Sequence, residues 1–258
     1  MQTLRSLREM NLPFFYIDEY DHSQKQIVLN EDTSKHVAQV LRMKAGERLN
    51  LTDGKGNLLT AEITDDHKKH CVVKIIDSRF TSPSAVEGLP KAQHDSRKIT
   101  IAISLLRNSN RFEWFLEKAT EIGINEIIPL ICERTEKQKF REDRMQSILV
   151  SAMLQSQQCW LPVLRKPVDY ELIFRQEEII HASQKFIAHC IEDQKRNLAD
   201  LVNEALPSQI ILIGPEGDFT SEEVQLAVHN HFDAVSLGDT RLRAETAGVV
   251  AATILKIC

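Results

Sequence analysis

Hydrophobic and polar positions in this chain follow two regimes, one before residue 80 and one after residue 98. From Phe14 to Ser78 the apolar runs are short and rich in aromatic and branched residues. Phe14-Phe15-Tyr16-Ile17, Gln26-Ile27-Val28-Leu29 and the run from Cys71 to Ile76 predict strands. Leu49 to Thr52 and Leu58 to Ile63 flank Asp53-Gly54-Lys55-Gly56-Asn57 and predict a hairpin. Val37, Val40 and Leu41 lie at helical spacing and predict one short helix over 33–43. Several short strands with one helix predict a small β-barrel over 10–80.

From Lys98 onward strands alternate with helices. Apolar runs predict strands over 99–106, 126–132, 185–191, 209–213 and 234–237. Phe112, Phe115, Leu116, Ala119 and Ile122 form one face of a helix over 111–122. Further helices are predicted over 142–158 and 197–205. Such alternation implies an α/β domain over 98–258, with a parallel sheet covered on both faces. Residues 81–97 carry Pro83, Gly88 and Pro90 with little apolar periodicity and read as the linker. Residues 1–9 precede a second methionine and read as an extension, with Met10 an alternative start, or as a short amphipathic helix.

The densest local signal is Ile210-Ile211-Leu212-Ile213-Gly214-Pro215-Glu216-Gly217. An unbroken aliphatic run reads as a strand buried on both faces. It stops at a glycine-proline turn, and Thr220-x-x-Glu223 then forms a capping box that opens a helix. A strand, a glycine turn and a helix start make a ligand-binding junction at the carboxyl edge of such a sheet. Taken alone, Gly-Pro-Glu-Gly could equally be a tight turn. A second junction follows at Ala234 to Gly238, and Leu242-Arg243-Ala244-Glu245-Thr246-Ala247-Gly248 opens a small-residue helix. Two junctions so close shift the balance toward a site.

Composition narrows the setting. With 258 residues, 42% hydrophobic and 27% charged, the chain can bury one or two cores. No run has the pattern of a signal peptide or the length of a membrane span. Five scattered cysteines without Cys-x-x-Cys spacing argue against a disulfide framework or a zinc site, and favour a reducing cytoplasm. A formal net charge of −5 excludes a grip on nucleic acid through bulk positive charge, though not through a local basic surface.

The motifs Leu212-Ile213-Gly214-Pro215-Glu216-Gly217-x-Phe219 and Ser236-Leu237-Gly238-x-x-x-Leu242-Arg243-x-Glu245-Thr246-Ala247 resemble the paired signatures of the RsmE-type SPOUT methyltransferases. The resemblance extends to His36-x-x-x-Val40-Leu41-Arg42-Met43-Lys44-x-Gly46, to Glu117 through Gly123, to Ile128-Pro129-Leu130 with Glu133-Arg134, and to Gln155-Ser156. Departures occur at Leu154, at Gln157-Gln158-Cys159, at Leu12-Pro13 and at Asp239-Thr240-Arg241. The cofactor loops are untouched by them.

That resemblance implies a trefoil-knotted SPOUT domain behind a PUA-like barrel, methylation of uridine N3 in 16S ribosomal RNA, and a homodimer joined at the knot. It implies S-adenosylmethionine as methyl donor and no metal. Cofactor contacts are expected at Leu212, Ile213, Gly214, Pro215, Glu216, Gly217, Leu237, Gly238, Leu242 and Thr246, with apolar walls from Ile213, Leu237 and Leu242. His189 is a further liner or a structural histidine. Uracil N3 holds its proton at neutral pH, so catalysis needs a base, or a cation for charge spreading onto O2 and O4. Arg243 is the candidate cation. Glu245 is the candidate base, with Glu216 the alternative, and a helix-start role for Glu245 stays open. RNA contacts are expected from Lys35, Arg42, Lys44, Lys55, Arg111 and Arg134, and more loosely from Arg107, Lys137 and Lys139. The competing functions are a knotted methyltransferase acting on a ribose 2′-hydroxyl or another base, and a non-catalytic assembly factor for ribosomes.

Overall fold

The computed structural model describes residues 12–81, 97–136, 139–191 and 195–258. The N-terminal extension, the interior of the linker and Lys137 lie outside the described residues. Two compact units emerge; the first joins the N-terminal residues to Met153–Trp160, and the second contains the remainder from Asp95 on. The segment 153–160 was expected within 98–258.

The first unit is a five-stranded sheet: β1 (Phe14–Tyr16), β2 (Gln26–Val28), β3 (Arg48–Thr52), β4 (Asn57–Asp65) and β5 (Val72–Phe80), in the order β1-β3-β4-β5-β2. Only β1 with β3 is parallel. Alternate residues of β4, Leu59, Ala61 and Ile63, turn inward to meet Phe15, Leu49, Leu51 and Val73. The predicted hairpin is held by Asp53, whose carboxylate accepts from the backbone of Lys55 at 2.8 Å and the side chain of Asn57 at 2.6 Å. The expected helix over 33–43 starts earlier, because Asn30 caps it by accepting from Thr33 N–H at 2.8 Å. Helix α1 (Glu31–Lys35) then widens into a π-turn over His36–Val40, and positive φ at Arg42 ends it.

The second unit is built on β6 (Lys98–Ser104), β7 (Glu126–Ile131), β8 (Val163–Leu164), β9 (Val168–Asp169), β10 (Gln184–Ala188), β11 (Arg196–Asn197), β12 (Ser208–Ile213) and β13 (Asp233–Ser236). Their order is β11-β13-β10-β12-β6-β7-β8, with β9 also on β7, and every pairing is parallel. The helices are α2 (Ser109–Ile122), α3 (Glu142–Gln155), α4 (Tyr170–Ile173), α5 (Glu177–Ile180), α6 (Ser221–His229) and α7 (Ala244–Ile257).

The unbroken aliphatic run of β12 is explained by two cores. Ile211 and Ile213 face α2, α3 and α7, through Phe112, Phe115, Met145, Ala251 and Leu255. Ile210 and Leu212 face α4, α5 and α6, through Tyr170, Ile173, Ile179, Phe219 and Ala227. Each side chain removed from water contributes roughly 1.5–3 kcal/mol. Gly248 of α7 shows how closely the first layer packs: a Cβ built there would lie 2.6 Å from Phe115 Cε2 and 3.1 Å from Ile103 Cδ1.

Two expectations need correction. The helix over 197–205 is instead strand β11 and a single 3₁₀ turn, Leu198–Asp200. Asn197 and Asn203 accept from the backbone N–H of Ala199 and Ala205, capturing the groups a helix would use. The helix over 142–158 stops at Gln155, and Gln157 has φ 56.

Candidate active site

Because the sheet is parallel, the loops after β6, β7, β10, β12 and β13 leave from one edge. The two glycine junctions are therefore neighbours: β12 and β13 flank β10. Gly214 and Pro215 are buried, whereas Glu216 and Gly217 are exposed. The capping box of α6 is complete, with Glu223 N–H donating to Thr220 Oγ1 at 3.2 Å and Thr220 N–H to Glu223 Oε2 at 2.8 Å.

The loop after β12 is fastened to three neighbours. Arg107 N–H, after β6, donates to Glu216 Oε1 at 3.1 Å. Arg134 Nη1, after β7, donates to Gly217 O at 2.7 Å, and Glu133 N–H donates to Glu223 Oε1 at 2.9 Å. Cys190 N–H, after β10, donates to Asp218 Oδ2 at 2.7 Å. Beneath it, Tyr170 OH donates to Glu223 O at 2.8 Å, and burial pushes that phenol far above its usual range. The Cys132 thiol is pushed up to about 12, first by burial and then by Glu223.

The loop after β13 is different. Among the described residues, 238–242 make no backbone hydrogen bond. Gly238 has φ +122 and nothing within 4 Å of a Cβ built on it. Leu237 and Leu242 are half-buried and Thr246 lies half-buried in the first turn of α7. Open backbone donors and acceptors between two leucines fit an adenosine, whose ring edge and ribose need hydrogen bonds and whose ring face needs apolar contact.

At the start of α7, Arg243 is the N-cap residue, exposed, with no side-chain capping bond and, among the described residues, no ion pair. Glu245 is only 7% exposed. Its Oε1 lies 3.6 Å from Arg111 Nε of α2, while its buried Oε2 has no hydrogen-bond partner. A buried carboxylate oxygen without a partner costs free energy on the order of 1–3 kcal/mol, which a bound donor would recover.

The expected site residues thus divide. Gly214 to Gly217, Leu237, Gly238, Leu242, Arg243, Glu245 and Thr246 share the carboxyl edge. The Ile213 side chain, expected in an apolar wall, is 2% exposed and packs within the α7-side core. Leu212 is likewise enclosed, on the opposite face. His189 is buried at the end of β10, and its carbonyl accepts from Lys195 Nζ at 2.5 Å.

Of the basic candidates, Lys35 pairs with Glu31 at 3.0 Å and Lys44 with Asp66 at 3.0 Å. Arg42 and Lys55 are exposed without an ion pair among the described residues. Arg111 and Arg134 have the intramolecular partners given above, and Arg107 pairs with Glu136 at 3.3 Å. Lys139 is exposed. The ties through Arg107, Arg134, Asp218 and the second carboxyl oxygen of Glu223 were missed by sequence reasoning. They join residues 28 to 109 positions apart, for which spacing gives no signal.

A family model described as an RNA methyltransferase domain matches residues 93–256, and one described as an RNA methyltransferase PUA domain matches 29–76. The ribosomal RNA small subunit methyltransferase E of Synechocystis is 32% identical over 84% of this chain and 68% of its own length. A probable rRNA-methyltransferase from Porphyromonas gingivalis superposes with TM-score 0.80 and 35% identity, covering 93% of this chain and 95% of that one. A ribosomal RNA small subunit methyltransferase E from Neisseria gonorrhoeae, solved with S-adenosyl methionine bound, gives 0.79 and 27%, covering 94% and 95%. The fold is that of the SPOUT methyltransferases, preceded by a PUA-like unit. With one family model spanning well over half the sequence and a relative above 30% identity, the chain belongs to the ribosomal RNA small subunit methyltransferase E family.

Proposed function

We propose that this protein transfers a methyl group from S-adenosylmethionine to N3 of a uridine in 16S ribosomal RNA. The observation that carries this is the near full-length likeness to the Neisseria enzyme solved with the methyl donor bound. The choice of uridine N3 rests on the paired motifs around Gly214 and Arg243. Bound S-adenosylmethionine supplies an activated methyl group on a sulfonium.

The chain's own residues do the rest. The open backbone of 238–242, the end of β12 and the leucines at 237 and 242 hold the adenosine. Arg243, with no ion pair among the described residues, offers a cation to the charge that develops on O2 and O4 as N3 loses its proton. Glu245 has one buried oxygen free to take that proton or to orient the base, while Arg111 holds the other. Because N3 lies on the pairing edge, the uridine must be unpaired or flipped. Arg42 and Lys55, which have no ion pairs among the described residues, lead the candidates for phosphate contacts.

A cytoplasmic setting is supported by five free cysteines and by the RNA substrate; among the described residues no helix is long and apolar enough to cross a membrane. A homodimer rests on the motif resemblance. The test is nucleoside mass spectrometry of rRNA from a strain lacking the protein. Loss of 3-methyluridine is expected; its persistence, or loss of a 2′-O-methyl nucleoside instead, would favour the competing methyltransferase chemistry.

A further inference from the structure

We propose that Arg134 is a positioning residue that holds the loop after β12 in its donor-binding shape; this rests on the methyl-donor function above. It replaces the RNA contact expected from sequence. The guanidinium donates to Gly217 O at 2.7 Å. The aliphatic stem lies along the same backbone: a Cβ on Gly217 would sit 3.3 Å from Arg134 Cδ and 3.4 Å from its Cβ. Arg134 therefore covers the one face of Gly217 where a side chain would stand.

The other ties share a different chemistry. At Glu216, Asp218 and Glu223, carboxylates accept N–H groups from the β6, β10 and β7 loops. Those bonds fasten side chains and the helix start. The Arg134 bond is the one that fixes the peptide carbonyl of Gly217 itself, in a stretch where glycine leaves the backbone free to rotate. Without it the loop visits other conformations, and apparent donor affinity falls in proportion to the binding-competent fraction.

The experiment compares the wild type with Arg134→Met, which keeps the stem and removes the donor, and with Arg134→Lys. Calorimetry uses S-adenosylmethionine alone, without RNA; steady-state methylation uses small ribosomal subunits. For Arg134→Met, the Kd and KM for the methyl donor should rise about tenfold, equivalent to about 1.4 kcal/mol. Turnover at saturating donor should fall far less, rRNA affinity should hold, and Arg134→Lys should recover part of the loss. Unchanged donor affinity in Arg134→Met, with weaker RNA binding and a salt slope reduced by about 1, would overturn the inference and restore the phosphate contact. A wild type that binds no S-adenosylmethionine would overturn the methyl-donor function itself, a separate and recognisable result.

Discussion

At the scale of single residues, the decisive contrast is between Arg111 and Arg134, which are already engaged, and Arg243, which is not. Arg111 and Arg134 are held by Glu245 and by Gly217 O, whereas Arg243 has no such partner among the described residues. Arg243→Ala should therefore lower turnover on small subunits by about 10²–10³-fold, the scale of losing one charge-stabilising donor. Donor affinity measured by calorimetry should change less than threefold. Unchanged turnover would remove Arg243 from the mechanism.

Charge also matters away from the site. Glu126, at the start of β7, accepts from Lys98 at 2.6 Å and Arg165 at 2.5 Å. Burial alone would raise its pKa, but the two cations win and hold it below the usual 4.5. Its carboxylate thus stabilises the fold above pH 4.5, and that contribution is lost as pH falls below 4.5 through the depressed folded value. Glu126→Gln should cost about 2 kcal/mol at neutral pH in urea unfolding. Its stability should also fall less steeply than the wild type's below pH 4.5; parallel curves would contradict the assignment.

The residue types at both junctions were legible because glycine, proline and a capping pair act locally. The partners of Arg111 and Arg134 were not, since those bonds exist only once distant strands share a sheet. Cys132 illustrates the same limit. Nothing around it in sequence separates it from Cys190, yet its thiol is buried and pushed up to about 12 while Cys190 is exposed. Native protein treated with iodoacetamide at neutral pH should be alkylated at Cys190 and spared at Cys132, as read by peptide mass spectrometry. Modification of Cys132 before Cys190 would contradict the buried placement.

At the scale of elements, periodicity found the strands and helices that bury a continuous face. The strands β6, β7, β10, β12 and β13 and the helix α2 lie where apolar spacing puts them, with ends moved by a few residues. What it missed was short or locally contested. Strands β8 and β9 have two residues each, and side-chain competition from Asn197 and Asn203 dissolves the helix expected over 197–205.

Helix α7 offers the sharpest element-level test. Replacing glycine by alanine within a helix normally adds up to about 1 kcal/mol. At Gly248 the new methyl would meet the Phe115 ring at 2.6 Å, and overpacking costs about 1–3 kcal/mol. Gly248→Ala should therefore lower stability by about 1–2 kcal/mol in urea unfolding. A stabilised variant would show that α7 and α2 are less closely packed than the structure has them.

At the scale of the whole molecule, the chain divides into one unit rich in short strands and one parallel α/β unit whose carboxyl edge gathers the candidate site residues. The alternation of elements made the fold class legible. It could not place Met153–Trp160 with the first unit, where Gly56 N–H donates to Cys159 O at 2.8 Å and Trp160 Nε1 to Thr81 O at 3.0 Å. Those bonds span 103 and 79 positions of sequence. The negative net charge is compatible with RNA work because the field that matters is local, and the proposed phosphate contacts Arg42 and Lys55 are both exposed.

The central claim joins a methyl donor at the glycine loops to a uridine base. It is tested most directly by incubating the purified protein with small ribosomal subunits lacking the modification and S-adenosylmethionine labelled in its methyl group. The rRNA is then digested and the labelled nucleoside identified by mass spectrometry. Label in 3-methyluridine, formed about 10²–10³-fold more slowly by Arg243→Ala, is the predicted result; label in a 2′-O-methyl nucleoside, or none with the wild type, would contradict the account.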